Sequence, residues 1–256
     1  AGARGVTRFT LLGVPVDPLT EAEAVDWVAR TIADGLPRLV ISVNPERIMH
    51  AGRDPALAAV LRGADLALAD GAGVVWAARR LGHPLPERVA GVDFVAALAA
   101  RGAARGWRFF FLGGGPGVAE AAGRVLSQTH PGFILAGTHA GSPHPSSDAA
   151  TIEAVRSSGA QLLFLAYGGG AEEAWLARNL AASGATLGMG VGGAFDFISG
   201  RVRRAPRWMR NWRLEWLHRL WREPWRWRRM IALPRFVIRV MREGRQSQGP
   251  SPSGGG

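Results

Sequence analysis

Asp70 closes a short strand-like run, Asp65–Ala69, and is followed by Gly71, one small residue and Gly73. A carboxylate delivered at a strand end projects into the crevice of an α/β sheet, where it can serve as a general base or hold a ribose or sugar hydroxyl. The same position suits an N-cap for a helix expected over Val74–Leu81. Ser42 and Asn44 close another strand-like run just before Pro45 and Glu46, where they either offer polar groups to a ligand or form a capping box. Arg88 could neutralise a phosphate or simply be a solvated surface group. The glycine loop from Gly113, Gly114 and Gly115 through Pro116 to Gly117 opens a helix, so its backbone N–H groups could cradle a phosphate. A tight strand-to-helix turn asks for the same glycines, and the loop matches neither the dinucleotide fingerprint nor a Walker lysine pattern. Six scattered histidines show no i, i+4 pair, and no Gly-x-Ser-x-Gly elbow occurs, so a histidine metal site and a serine nucleophile are not expected.

The elements that must position these groups alternate between strand-like and helical patterns from about Thr7 to Gly200. Strands are predicted at Arg38–Val43, Asp65–Ala69, Trp107–Leu112, Gln161–Tyr167 and Leu187–Val191. Helices are predicted at Glu46–Leu61, Val74–Leu81, Val92–Arg105, Val118–Gln128 and Glu172–Ser183. Alternation of this kind argues for an α/β fold: a Rossmann-like, mostly parallel sheet with flanking helices, its ligands bound at the carboxyl edge. The catalytic core is expected over residues 1–200, a basic helical appendage over 201–245 and a disordered Gln/Ser/Gly/Pro tail over 246–256.

Composition narrows the class. A chain of 256 residues with 47% apolar content can bury a full core, and without cysteine it can form neither disulfides nor thiolate metal sites. Apolar runs such as Leu162–Ala166 are far shorter than the roughly 20 residues of a spanning helix. The first residues lack a charged start followed by an apolar run, so no signal peptide is expected and the chain reads as soluble or peripheral, and cytoplasmic. The net charge of +11 is concentrated: 15 arginines and three glutamates between Arg201 and Arg245 give that stretch +12 and leave the remainder at −1.

Six of the ten tryptophans fall in the same stretch, among them Trp208, Trp212, Trp216, Trp221 and Trp225. The first three recur every four residues, which gathers indoles on one helix face with arginines on much of the rest. Pro224 and Pro234 are expected to interrupt the helical pattern. Indoles at headgroup level and arginines near anionic lipid fit a helix lying on a membrane. Single-stranded nucleic acid, or plain packing on the core, would use the same residues.

Taken in order, the motifs resemble the WecG/TagA/CpsF family of bacterial glycosyltransferases. They are Ser42-x-Asn44; Ala69-Asp70-Gly71-x-Gly73; Glu87-Arg88-Val89-x-Gly91-x-Asp93; Phe111-Leu112-Gly113-Gly114; Gly190-Val191-Gly192-Gly193-x-Phe195-Asp196-Phe197; and Leu214-Glu215-Trp216-Leu217-x-Arg219 with Glu223-Pro224-x-Arg226 and Arg229. The resemblance implies an inverting, metal-independent transfer of a sugar, most often N-acetylmannosamine, from a UDP-sugar to a polyprenyl-diphosphate-linked acceptor, with no cofactor. It implies Asp70 as base and Ser42, Asn44 and Arg88 at the sugars. Gly113, Gly114, Gly115, Gly141 and Asp196 would hold the nucleotide, and Arg219, Arg226 and Arg229 would steady diphosphates. Partners would be the donor, the lipid-linked acceptor and an anionic membrane at the inner face of the cell, not nucleic acid, with a homo-oligomer left open. A UDP-glucose-dependent enzyme of exopolysaccharide synthesis and a non-catalytic nucleotide-sugar- or nucleic-acid-binding protein are the rivals. Two departures stand out: Glu172 replaces a family glutamine, and Ser142-Pro143 replaces a Tyr-Phe pair after Gly141. A glutamate against the donor sugar would repel a uronic acid, so an uncharged donor is expected.

Overall fold

A computed structural model of the chain describes residues 7–202 and 232–246. Its first elements are β1 (Phe9–Leu11) and β2 (Val14–Val16), an antiparallel hairpin, followed by α1 (Glu21–Asp34). Then come β3 (Arg38–Val43), α2 (Pro45–Ala51), α3 (Pro55–Arg62), β4 (Leu66–Ala69), α4 (Ala72–Arg80) and α5 (Gly91–Ala103). The second half holds β5 (Arg108–Gly113), α6 (Val118–Thr129), β6 (Ile134–His139), α7 (Asp148–Ser158) and β7 (Leu162–Ala166). It closes with α8 (Ala171–Ser183), β8 (Leu187–Gly190), α9 (Ala194–Ile198) and, at the C-terminal end of the described chain, α10 (Ala232–Gln246).

Six strands form one sheet in the order β4-β3-β8-β7-β5-β6, and every neighbouring pair is parallel. The expected α/β sheet with flanking helices is therefore present. Parallel strands covered on both faces are apolar on both faces, and the alternation of side chains sorts them into layers. Phe109, Phe111, Phe164, Leu187 and Met189 join α1, α5, α6 and α9 in one cluster. The residues between them, Phe110, Leu112, Leu163 and Leu165, pack with Val155 of α7 and with Trp175, Leu176 and Leu180 of α8. Ile41 and Val43 of β3 and Ala67 and Ala69 of β4 belong to a third cluster with the hairpin, α2, α3, α4 and α10.

β6 and α7 follow β5, and the chain then returns past β5 to form β7 and β8. The connection from β5 thus runs to one side and that from β7 to the other, which opens a crevice at the carboxyl ends.

Some boundaries differ from expectation for local reasons. The predicted helix Glu46–Leu61 is two helices, because Asp54 caps α3 by accepting from Ala56 and Leu57 N–H at 3.0 and 3.1 Å, and Pro55 takes the first helical position. Asn44, not a capping box, starts α2, accepting from Arg47 N–H at 2.9 Å. Pro234 does not interrupt a helix; it sits in the first turn of α10, where its missing N–H costs no intrahelical bond. The hairpin, β6, α7 and α9 carried short or weakly periodic signals and complete the fold with α1, which was legible from its Thr20–Glu23 capping box and the apolar spacing of Ala24, Val25 and Val28.

Candidate active site

The carboxyl ends of all six sheet strands converge on one cleft of about 810 Å³. Its walls carry Ser42, Asn44, Asp70, Arg88, Glu172, Asp196, Gly114, Gly115 and Gly141, so nearly every candidate from the core sequence is brought together. This volume lies in the range of pockets that enclose a small ligand.

Asp70 follows directly on β4, and its backbone N–H donates to Val43 O at 2.8 Å, which locks it beside the end of β3. The Ser42 hydroxyl donates to Asp70 Oδ2 at 3.3 Å, joining two of the candidates. The capping alternative for Asp70 is not what the fold uses: Gly71 is the N-cap of α4, and among the described residues no side chain caps that helix. Gly71 adopts φ 90°, a region costly for any residue with a Cβ. Gly73 lets α4 approach Pro45, since a Cβ there would lie 2.7 Å from the proline ring. The two glycines thus turn the chain sharply away and leave the carboxylate at the cleft. Val89 N–H donates to Ala69 O at 2.9 Å, which brings the Glu87–Gly91 segment, and with it Arg88, to the same corner. Asn44 lines the cleft and spends its side-chain oxygen on the α2 cap.

Glu172 has no exposed surface. Its Oε1 accepts from Gly168 N–H and from Gly192 N–H, both at 2.9 Å, tying the loop after β7 to the loop after β8. Its Oε2 accepts from Arg47 Nη2 at 3.4 Å. Burial raises its pKa above the ordinary glutamate value and the neighbouring Glu173 adds to this, against the pull of Arg47 and the two backbone donors. Glu172 thus stands at the cleft wall with its carboxyl already held by two backbone donors and Arg47, not as the open charge expected to meet the donor sugar. Arg47, which the sequence reading did not single out, also donates to Ser42 O at 2.9 Å and pairs with Glu173 at 2.9 Å. One guanidinium therefore ties β3, α2 and the first turn of α8 together.

The glycine loop divides into two roles. Gly113 ends β5 fully within the core and is not on the cleft wall, which corrects its expected contact with a nucleotide. Its φ of 83° and its closeness to Tyr167 explain the glycine: a Cβ would lie 2.9 Å from the Tyr167 ring. Gly114 and Gly115 do face the cleft, but Gly114 N–H is already donated to Ala166 O at 2.9 Å. The guanidinium of Arg201 lies over Gly115, where a Cβ would meet its Nη1 at 2.7 Å. Asp196 enters from the first turn of α9. Tyr167, His50 and Arg47 are cleft residues that spacing did not reveal, because each depends on strands being adjacent that are distant in sequence.

Arg219, Arg226, Arg229, Trp208, Trp212, Trp216, Trp221 and Trp225 lie outside the described residues. α10 is described: Phe236 and Val240 are fully buried against the hairpin, α2 and α4, while Val237, Ile238 and Met241 are exposed among Arg235, Arg239 and Arg242. Among the described residues no helix is long and apolar enough to cross a membrane, and no group of three or more metal-ligating side chains occurs.

The pattern of the Glycosyl transferase WecG/TagA/CpsF family matches residues 9–250. An N-acetylglucosaminyldiphosphoundecaprenol N-acetyl-beta-D-mannosaminyltransferase of Bacillus spizizenii is 34% identical over 215 residues, covering 84% of this chain and 83% of that protein. A protein of the same name from Bacillus subtilis is 29% identical over 235 residues, covering 91% of each chain. With a sheet that gathers Asp70, Ser42 and Arg88 at one edge and a match along nearly the whole length, the chain belongs to the WecG/TagA/CpsF family of glycosyl transferases.

Proposed function

We propose that this enzyme moves N-acetylmannosamine from UDP to a hydroxyl of an N-acetylglucosamine carried on a polyprenyl diphosphate, with inversion at the anomeric carbon. The observation that carries the reading is Asp70 at the cleft edge beside Ser42, in a chain similar to two mannosaminyltransferases. Asp70 takes the proton of the acceptor hydroxyl as its oxygen attacks the anomeric carbon. The bond from that carbon to the diphosphate breaks on the opposite face, and UDP leaves with the electron pair. Ser42 and Asn44 orient sugar hydroxyls, and Arg88 balances charge at the same corner. Gly114, Gly115, Gly141 and Asp196 hold the nucleotide, with Arg201 as a further cation beside the glycine loop. Arg219, Arg226 and Arg229 steady diphosphate oxygens, and no metal takes part.

The acceptor is a lipid, so the enzyme works on the inner face of the membrane without crossing it. The apolar residues Val237, Ile238 and Met241, set among arginines on the outer side of α10, support this placement, as do the tryptophans of the preceding segment.

The test is a donor screen on a short synthetic lipid-diphospho-N-acetylglucosamine. UDP-N-acetylmannosamine should be turned over far faster than its uronate or UDP-glucose. Clear preference for the uronate or for UDP-glucose would replace the donor assignment, and no turnover of any donor would leave a nucleotide-sugar-binding protein.

A further inference from the structure

We propose that Tyr167 is a donor-binding residue, whose buried phenol hydroxyl donates a hydrogen bond to an acceptor oxygen of the bound uridine diphosphate. The inference rests on the donor reading above and adds to it a residue that neither the motifs nor the resemblance marks.

Tyr167 follows β7 and lines the cleft. Its ring lies against Gly113 and its hydroxyl against Gly141: a Cβ would come within 2.9 Å of the ring at the first position and within 2.5 Å of the oxygen at the second. Both glycines have left-handed backbones, φ 83° and 54°, so the fold has made room for this side chain twice. Yet the hydroxyl oxygen is buried and, among the described residues, has no hydrogen-bond partner. A phenylalanine would fill the same space without burying an unpaired polar atom, and such atoms are rare in folded proteins unless a ligand or water completes them.

Its position fits the nucleotide and not the reacting sugar. Asp70 ends β4 and Tyr167 ends β7, three strands apart in the sheet. At about 4.8 Å per strand the separation is about 14 Å, far enough for a ribose and a diphosphate to lie between the anomeric carbon and the base. Burial, and after it the charge of Asp148, pushes the phenol pKa up to about 12, so the group keeps its proton and offers it to an oxygen instead of repelling the diphosphate.

The chain has one tyrosine, so replacing it with 3-fluorotyrosine gives the full-length enzyme a single fluorine resonance at this site. Saturating UDP should shift that resonance. Uridine, UMP and UDP in parallel then separate a base contact, which uridine alone reproduces, from a phosphate contact, which needs UDP. By calorimetry Tyr167→Phe should bind UDP about tenfold more weakly, the loss of one hydrogen bond. In the absence of ligand the same variant should melt at or above the wild-type temperature, an outcome a packing role alone does not give alongside the lost affinity. Equal UDP affinity in wild type and variant overturns the inference, even if the resonance moves through mere proximity. UDP that fails to bind the wild-type chain overturns the donor reading first and this inference with it.

Discussion

Arg47 and Glu173 form an ion pair beneath the cleft, Nη2 to Oε1 at 2.9 Å, in which the glutamate is almost wholly buried. The same guanidinium reaches Glu172 at 3.4 Å, so two buried carboxyls share one cation. Buried pairs of this kind stabilise little beyond their own desolvation cost, but removing one partner leaves an uncompensated charge. Arg47→Met should lower unfolding free energy by about 3 kcal/mol, measured with denaturant. Because Arg47 also holds the Ser42 carbonyl, the variant should lose kcat under conditions where it remains folded. Wild-type stability would show that the carboxyls are neutral without the arginine.

Asp70→Asn keeps the shape of the side chain and can still accept from the Ser42 hydroxyl. It cannot take a proton. Turnover should fall by about 10² to 10⁴, the usual range for a positioned base, while UDP affinity stays within about twofold. Retained turnover would assign the base elsewhere.

Glu172 gives a pH signature. Its pKa in the folded protein is raised above 4.5, first by burial. The folded state therefore binds the proton more tightly than the unfolded chain, so this contribution is complete below the unfolded pKa and is lost as pH rises through the folded one. Glu172→Gln has no such loss, and its Oε1 can still accept from Gly168 and Gly192. The variant should match the wild type most closely below the unfolded pKa and gain on it as pH rises above it, read from unfolding curves at a series of pH values. A gap independent of pH would assign its cause to geometry.

α10 separates packing from lipid contact. Deleting the whole appendage would also remove Phe236 and Val240 from the core and so confuse the two. Replacing the exposed Val237, Ile238 and Met241 with serine leaves that inner face intact. The triple variant should keep its melting temperature and bind anionic vesicles several-fold less in flotation, with the remaining attraction falling as salt rises. Undiminished flotation would assign the lipid contact to other residues.

Much of this was legible in the chain itself. Alternation of apolar runs with 3.6-period stretches marks most sheet strands, because a two-sided parallel strand is apolar throughout and a helix on it is apolar on one face. Asp70, followed by Gly71 and Gly73, could be read as a carboxylate at a sheet edge because Gly71 answers a local demand, a positive φ, although the reason for Gly73, a close approach to Pro45, is set across the fold. What local pattern could not decide is which strand ends meet. Gly113 and Gly114 look alike in sequence, yet one is sealed behind Tyr167 and the other faces the cleft. Glu172 looks like a free carboxylate in a glycine-rich turn, and only the pairing of β7 with β8 brings Gly168 and Gly192 to the same oxygen. Arg47 and Tyr167 gain their roles in the same way. Periodicity is a property of neighbours along the chain, whereas burial, pairing and pKa are set by neighbours across the sheet.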